Sequence, residues 1–175
     1  MIYISSSCVK NAKIKDSVEQ LATNGFQNIE LSGGTEFYEN FENDLIELKD
    51  RYKLNYRCHN YFPPPKKHFV LNLASLNDET FQASYSHLQR VVNLSNRLGA
   101  DKFAFHAGFF IDIKLNEIGK KLSRDNLFDK KKAIDRFCKA YVDVKKQSKN
   151  VVLFIENNVF SRTNSDTYDG ENPFM

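Results

Sequence analysis

The sequence predicts an α/β fold built on a parallel sheet. Three observations carry this. Five short runs of β-branched and aromatic residues recur along the chain, four amphipathic stretches long enough for helices lie between them, and the two kinds of segment alternate strictly. Alternation of this kind implies parallel strands joined by right-handed helical crossovers.

The expected strands are Ile2 to Ile4, Asn28 to Leu31, Leu54 to His59, Lys102 to His106 and Val151 to Ile155. The expected helices are Lys15 to Thr23, Tyr38 to Tyr52, Asp78 to Leu98 and Asn126 to Ser148. Asn24-Gly25 ends the first helix and Leu98-Gly99-Ala100 the third, and Asn77 or Asp78 caps the start of the third. That third helix repeats its apolar positions, Phe81, Tyr85, Leu88, Val91, Val92 and Leu98, at helical spacing. In the fourth, Ile134 and Phe137 are expected to be buried while Lys130-Lys131-Lys132 form a solvated surface. After the fifth strand, residues 157–175 are polar and rich in Asn, Ser, Asp and Gly. They read as a loop or disordered tail, with no fifth helix.

With 175 residues, 41% of them hydrophobic and including 15 Phe and 8 Tyr, the chain can bury one sizeable core, so residues 1–175 are expected to form a single domain. A net charge of +3, from 25 basic and 22 acidic residues dispersed along the chain, points to no particular partner and disfavours nucleic acid. Three cysteines, Cys8, Cys58 and Cys138, without a close pair suggest neither a disulfide framework nor a zinc knuckle. Reduced thiols, an amino terminus without signal architecture and no apolar run of about 18 residues lead to the expectation of a cytoplasmic protein with no membrane role.

In parallel α/β folds the carboxyl ends of the strands face the ligand. Here those ends carry Ser5-Ser6-Ser7, Glu30 before Gly33-Gly34, His59, His106 before Gly108, and Glu156 before Asn157-Asn158. Side-chain alternation puts His59, Arg57 and Asn55 on one face and Leu54, Tyr56 and Cys58 on the other, so Cys58 cannot be a neighbouring ligand. By the same rule His106 shares a face with Ala104 opposite Phe103 and Phe105, and Glu156 shares one with Phe154 opposite Leu153 and Ile155. Two imidazoles and a carboxylate, His59, His106 and Glu156, make a donor set suited to a divalent metal such as Zn²⁺ or Mn²⁺, although structural histidines account for the same residues. Glu156 carries the stronger functional signal, because a carboxylate closing an apolar strand is costly to bury without a cation or strong donors. Glu30 is expected to pair with Arg57, and His68 and His87 to be surface or packing residues. The loop Tyr61 to Lys67 either borders a pocket, with rings for a sugar face and lysines for a phosphate, or caps the rim.

The segments "GFQNIEL", "YRCHNYFPPP" followed by "FVLNLAS", "NRLGADKFAFHAGF" and "LFIENN", in this order, resemble the xylose isomerase-like TIM-barrel superfamily, which holds sugar phosphate isomerases and epimerases and the endonuclease IV group. The resemblance implies an incomplete (β/α)8 barrel of five strands and four helices, because a whole barrel has eight units over about 250 residues. It implies a metal-dependent sugar or sugar-phosphate isomerase or epimerase. In it Glu156 is a catalytic and metal-binding glutamate, and His59 and His106 bind metal or substrate. An endonuclease IV-like enzyme and a non-catalytic barrel fragment serving as a binding or assembly module are the alternatives. Because strands six to eight are missing, the chain is expected to be part of a longer enzyme or a truncated product, to hold metal weakly, and to self-associate through its open sheet edges. A flavodoxin-like doubly wound sheet is the alternative fold, although "SSSCVKNAK" lacks the glycine pattern of its phosphate loop.

Overall fold

The computed structural model describes residues 1–175. Its elements are β1 (Ile4–Ser5), α1 (Ile14–Thr23), β2 (Asn28–Leu31), α2 (Phe41–Tyr52), β3 (Asn55–Cys58), α3 (Asp78–Leu98), β4 (Lys102–His106), α4 (Lys130–Gln147), β5 (Val152–Glu156) and α5 (Arg162–Thr167). Local chemistry sets the helix ends. The Phe26 amide donates back to the Leu21 carbonyl (3.1 Å) across Gly25, whose φ of +89° suits the closing turn of α1. Asn77 Oδ1 accepts the Thr80 amide (3.1 Å) at the start of α3, and Asp129 Oδ1 accepts the Lys132 amide (2.9 Å), which begins α4 at Lys130 rather than at Asn126. No helix is long and apolar enough to cross a membrane.

The five strands form one sheet in the order β1-β2-β3-β4-β5, with parallel pairing. Glu30 is opposite Ser5 on one side and Arg57 on the other, and Cys58 is opposite Leu31 and Phe103. Period-two alternation holds through the middle strands, where Ile29, Leu31, Tyr56, Cys58, Phe103 and Phe105 are buried. It fails in β5. Leu153 is buried, but Ile155, expected on the same covered face, is 45% exposed, as is Phe154. The physical reason is position: β5 is the outermost strand, so its far end lacks the second neighbour that covers the central strands. In α4 the buried stripe is Ala133, Phe137, Ala140 and Val144. Ile134, one step around the helix from Ala133, is exposed, contrary to expectation. The lysines of this helix are at its surface, where Lys131 pairs with Asp135 (2.8 Å).

The chain packs as two compact units. The first comprises residues 1–66, 90–104 and 147–154; the second comprises 67–89, 105–146 and 155–175. In the first, α1 packs on α2 and β2, with Ile14, Val18 and Leu21 buried on α1 and Leu45 and Leu48 on α2. In the second, Val70, Phe109, Ile111, Leu122, Tyr168 and Phe174 form an apolar cluster joined by Ile113, Leu127 and Phe160. Residues 157–175, expected as loop or disordered tail, contain α5, which corrects the expectation that no fifth helix forms. Ser161 caps α5 by accepting the Asn164 amide (3.2 Å), Asn164 Oδ1 accepts the Leu122 amide (3.0 Å), and Tyr168 donates to the Ser123 carbonyl (2.9 Å). Phe174 meets Phe109 edge-on, with ring centroids 5.4 Å apart. Two aromatic anchors thus hold a segment whose overall composition is polar.

All three thiols are free. Cys58 is buried, and burial pushes its thiol up to about 12, so it serves as a small apolar residue rather than a nucleophile.

Candidate active site

The second unit brings two of the expected site residues together. The Ala107 amide donates to the Glu156 carbonyl (3.1 Å), tying the ends of β4 and β5 side by side. His106 Nδ1 then lies 3.8 Å from Glu156 Oε2, with the two side chains 41% and 50% exposed. That separation is too long for a hydrogen bond, so the attraction is ionic and operates only when the imidazole is protonated. Both side chains are partly exposed, while His106 Nδ1 itself is buried and has no hydrogen-bond partner.

His59 extends β3 at its carboxyl end, its amide donating to the Leu31 carbonyl (2.8 Å) and its own carbonyl accepting the Phe62 amide (2.9 Å). It belongs to the first unit. No group of three or more His, Cys, Asp or Glu side chains stands where it could hold a metal ion. The donors that do meet, His106 and Glu156, are one short of the three protein ligands a catalytic zinc keeps. The residues this chain assembles therefore do not fit a resident metal, and no step is derived through one.

Arg57 differs from expectation. Its Nε and Nη2 reach Asp101 Oδ1 and Oδ2, both at 2.9 Å, and its guanidinium lies 4.0 Å above the Tyr3 ring. The rigid fork of an arginine matches one carboxylate at a time, and it has taken Asp101 in place of Glu30. This fork holds the Asp101 carboxyl below its ordinary range, so the stabilisation it adds is present above the usual carboxylate pKa and is lost as pH falls through the lowered value. With the Asp101 side chain 56% exposed, the contribution is small.

The loop after β3, read as either bordering a pocket or capping the rim, carries several buried residues. Phe62 is fully buried and packs edge-on against Phe41 (centroids 5.9 Å apart), while Pro63 and Pro64 are buried as well. Lys66 lies 5.8 Å over the Phe37 ring and Lys67 stands 4.0 Å from Glu79. His87 is buried against the Phe69 ring (5.7 Å), a packing role, and His68 is exposed.

Sequence reasoning missed Asn72. This side chain is buried and organises the turn that follows His106. Its Nδ2 donates to the carbonyls of Phe109 (3.1 Å) and Ile111 (2.9 Å), and its Oδ1 accepts the amides of Phe109 (2.9 Å) and Ala74 (3.2 Å). Asn158 Nδ2 donates to the Gly108 carbonyl (2.8 Å), fastening the same turn to the segment after Glu156. The available signal was an amide inside the apolar run Val70 to Leu73, where burial demands that every polar atom be satisfied.

No family model and no curated protein matches the sequence. Solved structures do match the fold. A D-tagatose 3-epimerase-like protein superposes with a TM-score of 0.65 at 18% identity, over 91% of this chain and 53% of that chain. An L-ribulose 3-epimerase gives 0.57 at 17% identity, over 88% of this chain and 48% of that one. The D-psicose 3-epimerase of Clostridium cellulolyticum H10, solved with D-tagatose, gives 0.52 at 17% identity, over 82% and 46%. The chain spans about half the length of these structures. These matches show the fold: five parallel strands alternating with helices, as in an incomplete TIM barrel. Sequential strand order excludes the flavodoxin-like alternative, whose first strand lies inside the sheet.

Proposed function

We propose that this chain carries part of the reaction rim of a sugar or sugar-phosphate isomerase or epimerase, with Glu156 as the proton-transferring group and His106 beside it. The observation that supports this reading most is the partly exposed pair of imidazole and carboxylate on adjacent strand ends, in a fold whose neighbours are named for sugar epimerisation. A carboxylate at this place accepts the proton from the carbon next to a sugar carbonyl, and His106 holds charge or a hydrogen bond against the oxygen that gains electron density. One carboxylate returns the proton to the face from which it came. Inversion at carbon needs a second acid on the opposite face, and His59 is the further rim residue included in this reading as a substrate contact. A divalent zinc or manganese ion enters only with donors beyond His106 and Glu156. Three free thiols support a reducing, cytoplasmic setting.

The test is exchange of carbon-bound protons. D-fructose or D-tagatose incubated with the chain in D2O should lose the proton next to its carbonyl, followed by NMR. Glu156→Gln should slow the loss about 100-fold or more, and His106→Asn about tenfold. Exchange that ignores Glu156→Gln, or its absence with the native chain, removes the reading. In the latter case a binding or assembly module is what remains.

Self-association belongs to the same proposal. Both β1 and β5 are outermost strands, and Val152, Phe154 and Ile155 are exposed along β5. Light scattering should show the mean mass rising with protein concentration, and a constant monomer mass over a hundredfold range would refute it.

A further inference from the structure

A chain of three hydroxyl groups lies at the carboxyl ends of β1 and β2. Ser5 Oγ is 2.9 Å from Ser7 Oγ and 2.7 Å from Ser32 Oγ, and it also accepts the Ser7 amide (3.4 Å). Ser6, itself buried, accepts the Ser32 amide on its own Oγ (2.8 Å), which fixes Ser32 in place. A hydroxyl has one proton and two lone pairs. With one lone pair of Ser5 taken by the amide, Ser5 must accept from one neighbouring serine and donate to the other. Two arrangements follow. Either Ser7 donates to Ser5 and Ser5 to Ser32, or the direction is reversed. In the first, Ser7 offers only lone pairs outward; in the second, it offers a free proton. Ser7 is the exposed end of the chain and Ser32 the buried one.

We propose that Ser5, Ser7 and Ser32 form a reversible hydroxyl relay that binds a neutral sugar hydroxyl at Ser7. The inference rests on the sugar-handling reading above and concerns the first unit alone. A sugar hydroxyl is both donor and acceptor, and the relay can present the complementary partner for either role by reversing its two hydrogen bonds without moving a heavy atom. Two further observations favour a neutral polyol. The chain is open two residues beyond Ser32, since a side chain built on Gly34 would meet nothing within 4 Å. The Glu30 carboxylate belongs to the strand residue in register with Ser5, so a phosphate placed here would face a like charge.

The experiment follows backbone amide resonances of the native chain during titration with D-fructose and, separately, with inorganic phosphate. D-fructose should shift the amides of Ser7, Ser32 and Gly33, and phosphate should not. Ser7→Ala should weaken D-fructose binding about three- to tenfold, while Ser7→Thr, which keeps the hydroxyl, should restore most of it. Ser7 is exposed, so its replacement leaves the fold intact. D-fructose shifts confined to the surroundings of His106 and Glu156 would overturn the relay while leaving the proposed function standing. Shifts at the serines, abolished in Ser7→Ala, without any exchange of carbon-bound protons would uphold the relay and overturn the proposed function. Phosphate shifting the serines more strongly than the sugar, or no shift with either, would overturn the relay.

Discussion

Asn72→Ala should lower the unfolding free energy by about 3–4 kcal/mol, seen as a drop in the urea midpoint at unchanged slope. The buried amide serves four backbone groups of Ala74, Phe109 and Ile111, and alanine leaves all four facing a gap. An orphaned buried donor costs about 1–3 kcal/mol, and two of the four are N–H groups of this kind. Asn72→Asp separates hydrogen bonding from packing. It keeps the shape and the accepting oxygen but turns a second oxygen toward the Phe109 and Ile111 carbonyls and toward Asp112, whose Oδ1 is 3.3 Å from Nδ2. It should therefore be at least as damaging as alanine. A loss under about 1 kcal/mol for Asn72→Asp would show that the amide does not hold this turn. Gly108 sits inside the same arrangement: a Cβ there would come within 3.0 Å of Asn72 Oδ1, and its φ of +120° already excludes most side chains.

Phe105→Ala should cost about 3–5 kcal/mol, while Phe105→Leu should cost only about 1–1.5 kcal/mol. Phe105 is fully buried in β4, and its ring lies 6.5 Å from that of Phe137 and 6.3 Å from that of Tyr141, both on α4. Alanine would leave a void that two aromatic rings on one helix cannot fill without shifting the helix. Chemical denaturation of the two variants side by side measures the difference. Equal losses would mean that ring volume is not what the sheet and α4 share at this point.

The elements that sequence patterning located best are those in which local and tertiary preferences agree. α3 runs from Asp78 to Leu98 as expected because Asn77 caps one end and Gly99, with φ of +68°, closes the other. β2 and β4 match because both have strand neighbours on either side and only one of their faces is covered, so every second residue is buried. Ile134 and Ile155 defeat the same pattern, since hydrophobicity alone does not say which side of a helix or which end of an outer strand finds a neighbour. The meeting of His106 and Glu156 was legible because parallel strands deliver their last residues to one level. The choice of Asp101 over Glu30 by Arg57 was not, because a long side chain can reach past its register partner to a residue on the next connection. Asn72 and α5 were hidden for a shared reason. Each depends on polar side chains satisfying distant backbone groups, and such pairings leave no periodicity in the sequence.

The Gly108 carbonyl accepts from two sides, from Asn158 Nδ2 (2.8 Å) and from the Met175 amide (3.1 Å), and so has both lone pairs engaged. Inserting even one residue between His106 and Ile111 would pull these partners out of line together. Changes of length in this region are better tolerated in the stretch from Lys114 to Lys121, which is exposed apart from Glu117, held by Ser123. Variation in length there would leave the turn behind His106 in place.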